Sequence, residues 1–167
     1  MAYINRFLAK IAEKREQTMH EEQLFEMVNE AVLFAQSELE RQQSLTPFAM
    51  LLYRNGYIES LKAPEGAQGE QYDALVATLR EKVTDAPKVT GVAIVAAVTI
   101  PAQYKPPVES GIRVHLEERH KCDEKIGGRF LYVPYQLYKE SDDAKVQTHL
   151  YNPIPVGIPQ EIFTKEC

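Results

Sequence analysis

Six side chains able to bind a metal or move a proton fall within nine positions of one stretch, GIRVHLEERHKCDEK at residues 111–125: His115, Glu117, Glu118, His120, Cys122 and Asp123. The residues before them alternate. Ile112, Val114 and Leu116 share one face of a strand, and Arg113, His115 and Glu117 share the other. Same-face neighbours on a strand lie about 6–7 Å apart. His115 and Glu117 can therefore address one ion, with His120 or Cys122 in the following turn as further ligands. Zinc accepts imidazole nitrogen, thiolate sulfur and carboxylate oxygen in tetrahedral geometry, so His115, Glu117, His120 and Cys122 are the candidate metal set. An organic ligand would instead meet Tyr104, Arg113, His115, Glu117 and Tyr132, beside the proline-rich loop 104–107.

A plainer reading competes with both. An antiparallel sheet often keeps one solvated face, and alternate polar residues are what such a face looks like. Arg113 would pair with Glu117 there and repel a cation. Neither H-E-x-x-H nor paired C-x-x-C occurs, and no serine sits in a G-x-S-x-G elbow. Glu117 and Glu118 point to opposite sides of a strand, the wrong geometry for a carboxylate dyad. Gly127 and Gly128 precede a strand rather than a helix, so they read as a tight turn and not as a phosphate loop. His20 and His149 read as surface residues. Tyr132, Tyr135 and Tyr138 read as half-buried sheet residues with wet hydroxyls. No residue is assigned a catalytic role, and no cofactor is expected.

The surrounding elements follow from periodicity. Ile4, Phe7, Leu8 and Ile11 have helical spacing over residues 2–15. Thr18 with Glu21 forms a capping box, from which a second, longer helix should run to Gln42. Its apolar set, Leu24, Val28, Ala31, Ala35 and Leu39, is flanked by Phe25, Met27, Val32 and Phe34, a stripe wide enough to meet two neighbours. Asn55-Gly56 between apolar runs predicts a type I′ hairpin joining strands 48–54 and 57–62. Tyr72, Leu75, Val76, Leu79 and Val83 predict a helix over 70–84. Residues 91–100, GVAIVAAVTI, are apolar at both parities, as in a central strand covered on both faces. Further strands follow at 111–118, 127–138 and 145–151. The tail NPIPVGIPQEIF should lie extended over the body.

This order predicts an α+β domain: an antiparallel sheet of about five strands with helices packed on it, preceded by a pair of N-terminal helices. The chain reads as a single domain, with N-terminal helices at 1–43, a body at 46–151 and a proline-rich tail at 152–167. The layout is similar to profilin-like and roadblock-like domains, by fold analogy alone. TPFAMLLYRNGYIES, GVAIVAAVTI and GIRVHLEERH together resemble a family of small bacterial proteins without an assigned function. Its members carry a similar PFA…L…dG hairpin and a later I-x-V-x-LEH-like strand, and the likeness spans roughly residues 24–140. The resemblance implies a bacterial cytosolic α+β domain and carries over no functional assignment.

Composition narrows the class. The chain has 167 residues, 44% hydrophobic and 26% charged, which suits a globular protein with a sizeable core. A net charge of −5 disfavours nucleic acid as a partner. GVAIVAAVTI, the longest apolar run, is too short to span a membrane. The N-terminus lacks the apolar core of a secretory signal, so the chain reads as cytoplasmic, with Cys167 an inert reduced thiol. The leading expectation is a non-catalytic interaction or regulatory protein that acts as a homo-oligomer, a homodimer through its N-terminal helices. The alternative is a metal- or small-ligand-binding enzyme centred on His115, Glu117 and His120.

Overall fold

The computed structural model describes residues 2–66 and 68–164. It opens on one helix, α1, Ala2–Gln42. The expected pair of N-terminal helices is therefore a single rod of 41 residues, about 60 Å long. The capping box is a coincidence of spacing. A capping threonine needs extended backbone, whereas Thr18 is helical and its hydroxyl donates to the Lys14 carbonyl at 2.9 Å, one turn back. No glycine or proline occurs before Pro47 to break the rod. Thr18→Ala should accordingly stabilise the protein by a few tenths of a kcal/mol, through helix propensity, instead of removing a cap. A fall of about 1 kcal/mol in chemical denaturation would restore the cap. The helix ends at Gln43, whose left-handed backbone (φ 57°) turns its amide back to the Leu39 carbonyl at 2.9 Å.

Seven strands follow: β1 Phe48–Tyr53, β2 Ile58–Lys62, β3 Val89–Thr99, β4 Ser110–Glu118, β5 Gly128–Tyr138, β6 Gln147–Leu150 and β7 Ile154–Ile158, with helix α2 Gln68–Asp85 between β2 and β3. They form one antiparallel sheet in the order β2-β1-β3-β4-β5. The far edge of β5 is covered twice. Tyr135–Tyr138 pairs with β6, and Gly128–Tyr132 pairs with β7. The fold is α+β as expected, but with two strands more than the expected five. Both the late strand and the proline-rich tail join the sheet, and Tyr132 pairs directly with Ile154.

The sheet carries a core on each face. Toward α1, Leu24, Met27, Ala31, Ala35 and Leu39 pack on Met50, Leu52, Ala93, Val95, Ile112 and Val114. Toward α2, Leu75, Leu79 and Val83 pack on Ala49, Leu51, Val92 and Ile94. β3 contributes alternate residues to both, which explains why both of its parities are apolar. After β7 the chain crosses to the α2 face, where Ile162 and Phe163 complete the second core.

The β1–β2 hairpin forms at the expected place with a different turn. Gly56 donates to the Tyr53 carbonyl at 2.9 Å, and Tyr53 donates to the Tyr57 carbonyl at 2.9 Å. Gly56 has φ 90°, but Asn55 is not in positive φ. This is a three-residue loop closed by a left-handed glycine, not the two-residue type I′ turn, which needs both central residues at positive φ. The Asn55 side chain accepts from the Tyr57 amide at 3.0 Å instead. Gly56→Val should still cost about 1 kcal/mol or more, because a β-branched residue resists that φ. A Cβ there would also stand 3.0 Å from the Gln23 amide nitrogen on α1. An unchanged denaturation midpoint in this variant would exclude that strain.

Candidate functional sites on the two faces of β4

On the α2 face, Arg113 is half-buried, and His115 and Glu117 do not look out on water. Tyr72 of α2, aromatic residues of β5 and the segment 160–163 close over them, and His115 and Glu117 are both 0% exposed. His115 Nε2 lies 2.6 Å from Glu117 Oε2, so the ring donates to the carboxylate. The same oxygen accepts the Glu161 amide at 2.9 Å. Oε1 accepts the amides of Ile162 at 2.8 Å and Phe163 at 3.3 Å. Burial by itself raises the Glu117 pKa. The His115 bond and the tail amides outweigh it and hold the carboxyl below its ordinary value.

The chain of contacts continues outward. The Tyr72 hydroxyl stands 3.4 Å from His115 Nδ1. The Arg113 guanidinium lies over the rings of Tyr72, at 5.1 Å, and Phe130, at 4.6 Å. Tyr104 and Tyr132 stack beyond it at 5.6 Å. Burial pushes the Tyr72 and Tyr132 phenols up, partly offset by Arg113. The expected ligand set Tyr104, Arg113, His115, Glu117 and Tyr132 thus lies along one face of the sheet. A Tyr–His–Glu order is the sequence of a proton relay, but both oxygens of this carboxylate are committed to holding the tail. The arrangement can latch residues 161–163 to the sheet.

Two expectations are corrected here. The polar face of β4 is not a solvated surface, and Glu117 pairs with His115 and the tail rather than with Arg113. Nor do His115, Glu117, His120 and Cys122 form one metal cluster. His115 and Glu117 are consumed on the α2 face, and Cys122 is disulfide-bonded, so it presents no thiolate. Cys167 lies outside the described residues.

The other face of β4 holds a constellation the alternation hid. Glu118 shares parity with Ile112, Val114 and Leu116, so its carboxylate points toward α1. There its Oε1 meets His20 Nε2 at 3.0 Å and lies 3.9 Å from His120 Nδ1. The two imidazoles meet edge to face at 5.3 Å. Lys121 Nζ takes the other carboxylate oxygen at 3.1 Å. Burial opposes ionisation of Glu118, but the His20 bond and Lys121 prevail, bringing its pKa down to about 2. Arg119 turns away, donating to the carbonyls of Val83 in α2, Ala86 just beyond it and Val89 at the start of β3.

Two grooves meet at these residues. One, of about 420 Å³, runs between α1 and β4–β5 past Leu24, Phe25, Leu116, Arg129 and Leu131. The other, of about 550 Å³, includes Met19, Gln23, Arg54 and Thr90. The sequence alone places His20 on the surface and gives Glu118 no role. The available signal was a carboxylate at a core-facing parity, which demands a partner. Its partner, His20, is 98 residues away in sequence. His149, by contrast, is exposed and packs edge-on to Tyr151, at 4.6 Å. Compared with known proteins, the chain matches no family model, no curated protein and no solved structure.

Proposed function

We propose that this chain is a non-catalytic interaction protein that works as a two-fold homodimer, joined by antiparallel α1 helices. The observation that carries the reading is the exposed apolar side of α1. At about 100° per residue, Leu8, Met19, Phe25 and Leu33 fall within a window of roughly 120°. All four are exposed, Phe25 at 74%. The stripe lies opposite Leu24, Met27 and Ala31, which face the sheet. Large apolar surfaces of this kind mark contact sites.

Charge supports a second copy as the occupant. In the first half of α1, Arg6, Lys10, Lys14 and Arg15 outnumber Glu13 and Glu16; in the second, Glu21, Glu22, Glu26, Glu30, Glu38 and Glu40 face Arg41 alone. Antiparallel pairing sets the basic half of each helix against the acidic half of its partner, and one self-complementary patch closes a dimer.

An enzyme centred on His115 and Glu117 is the weaker reading, because neither group reaches solvent. No helix among the described residues is long and apolar enough to cross a membrane. The disulfide-bonded Cys122 fits an oxidising compartment better than the cytoplasm that composition suggests. Light scattering at micromolar concentration tests the dimer. A mass of twice 19.0 kDa is expected, and a mass of 19.0 kDa would refute it.

A further inference from the structure

We propose that His20, Glu118 and His120 form a binding site for a divalent transition-metal ion of the zinc class, an inference independent of self-association. His20 Nε2 or Nδ1, a Glu118 oxygen and a His120 nitrogen all lie within 4.8 Å of one another, and this is the one such group of three or more ligands among the described residues. Two imidazoles and one carboxylate are the donor set of an open zinc site, with metal–ligand bonds of about 2.0–2.2 Å. Ligands around a tetrahedral ion at that bond length stand roughly 3.3 Å apart. The His20–Glu118 pair, at 3.0 Å, is already close to that separation. His120, at 3.9 Å from Glu118 and within 4.8 Å of the His20 ligand atom, must close in on both. Its side chain is 51% exposed and sits on a short 3₁₀ turn, Arg119–Lys121, so that movement displaces no core.

The anchoring is unequal in a useful way. Glu118 ends a central strand and is nearly buried, and His20 is held by a 41-residue helix, so two ligands are fixed and the third closes. Lys121 occupies Oε2 and leaves Oε1 between the imidazoles, which favours a monodentate carboxylate. Binding requires His20 to present a lone pair at Nε2, so its ring proton moves to Nδ1. The fourth position opens on the groove that carries Lys121 and Arg129, where water or a small anion completes the shell. An irregular ion-pair network would need only one histidine at this carboxylate; the second imidazole, turned edge-on to the first, is what a metal explains.

The test uses the full chain, stripped with a chelator and kept free of reductant so that Cys122 stays bonded. Calorimetric titration with Zn²⁺ and absorption titration with Co²⁺ should each saturate at one ion per chain. Co²⁺ should develop the intense visible bands of a tetrahedral complex. His120→Ala removes an exposed ligand and leaves the His20–Glu118 bond in place. It should weaken binding at least about tenfold. His20→Gln keeps a hydrogen-bond donor for Glu118 but offers no imidazole, and should do the same. His149→Ala, in an exposed histidine elsewhere, should bind as the unaltered chain does. Absence of saturable binding would overturn the proposal. So would affinity unchanged in both His120→Ala and His20→Gln, or affinity lost in His149→Ala instead.

Discussion

Glu117→Ala is expected to cost the fold roughly 3–5 kcal/mol, the range for removing one partner of a buried charged, hydrogen-bonded pair. The loss has two parts. The His115 ring loses the acceptor at 2.6 Å and remains sealed with an unpaired N–H. The amides of Glu161, Ile162 and Phe163 lose theirs together, at a point where Ile162 and Phe163 plug the α2-side core. Hydrogen exchange at those three amides should therefore rise more than exchange in β3. Glu117→Gln, which keeps shape but has one acceptor oxygen, should fall between. Acid adds a check with a defined sign. The folded carboxyl is held below the ordinary value of 4.5, so its contribution is complete above that pH and fades as pH falls through the lower folded value. Urea midpoints of the unaltered chain and Glu117→Gln should differ most at neutral pH and converge in acid, once pH falls below the depressed folded value. A gap that stays constant from neutral pH to acid would show that the carboxylate charge holds nothing.

Local pattern made much of this fold legible, and non-local pairing hid the rest. Double-parity apolarity identified β3 as a central strand, and the alternation in β4 assigned Ile112, Val114 and Leu116 to one core correctly. Period 3.6 found α2. The errors share a cause. Thr18 and Glu21 match a capping box, but a helix with no breaker and a packed second half does not stop for a local alternative. Asn55-Gly56 signals a hairpin, while loop length, which decides the turn, depends on the β1–β2 register. The tail looked like a cover and became a strand, because β5 offers an edge that Ile154–Ile158 can pair with. Polar residues on β4 look wet from sequence because nothing local shows that Phe163 and its neighbours return to cover them. The His20–Glu118–His120 group was the hardest to see, since its members look unrelated until α1 crosses the end of β4. For the β4 faces and the tail, the missed contact has its partner far along the chain, which is the information a single sequence carries least.

Self-association through α1 should be abolished by Phe25→Glu with Leu33→Glu. Both side chains are exposed in the isolated chain, so the double variant leaves the α1-side core of Leu24, Met27 and Leu39 intact and should fold with an unchanged midpoint. Val32 is the poorer target. It lies toward the same side but packs partly against that core, so a charge there would confuse dissociation with unfolding. Two buried glutamates per chain, four per dimer, should weaken association by at least about a hundredfold, since each removes a large apolar contact and each charge must be desolvated. Light scattering should then report 19.0 kDa at concentrations where the unaltered chain is double that. Salt provides an independent arm. Antiparallel helices place Lys10, Lys14 and Arg15 opposite the partner's acidic half, so raising ionic strength should loosen the dimer through screening. A parallel pair would place like charges together and tighten with salt instead. A dimer that tightens with salt would exclude the antiparallel arrangement, and one that survives both substitutions would show that the exposed side of α1 is not the contact.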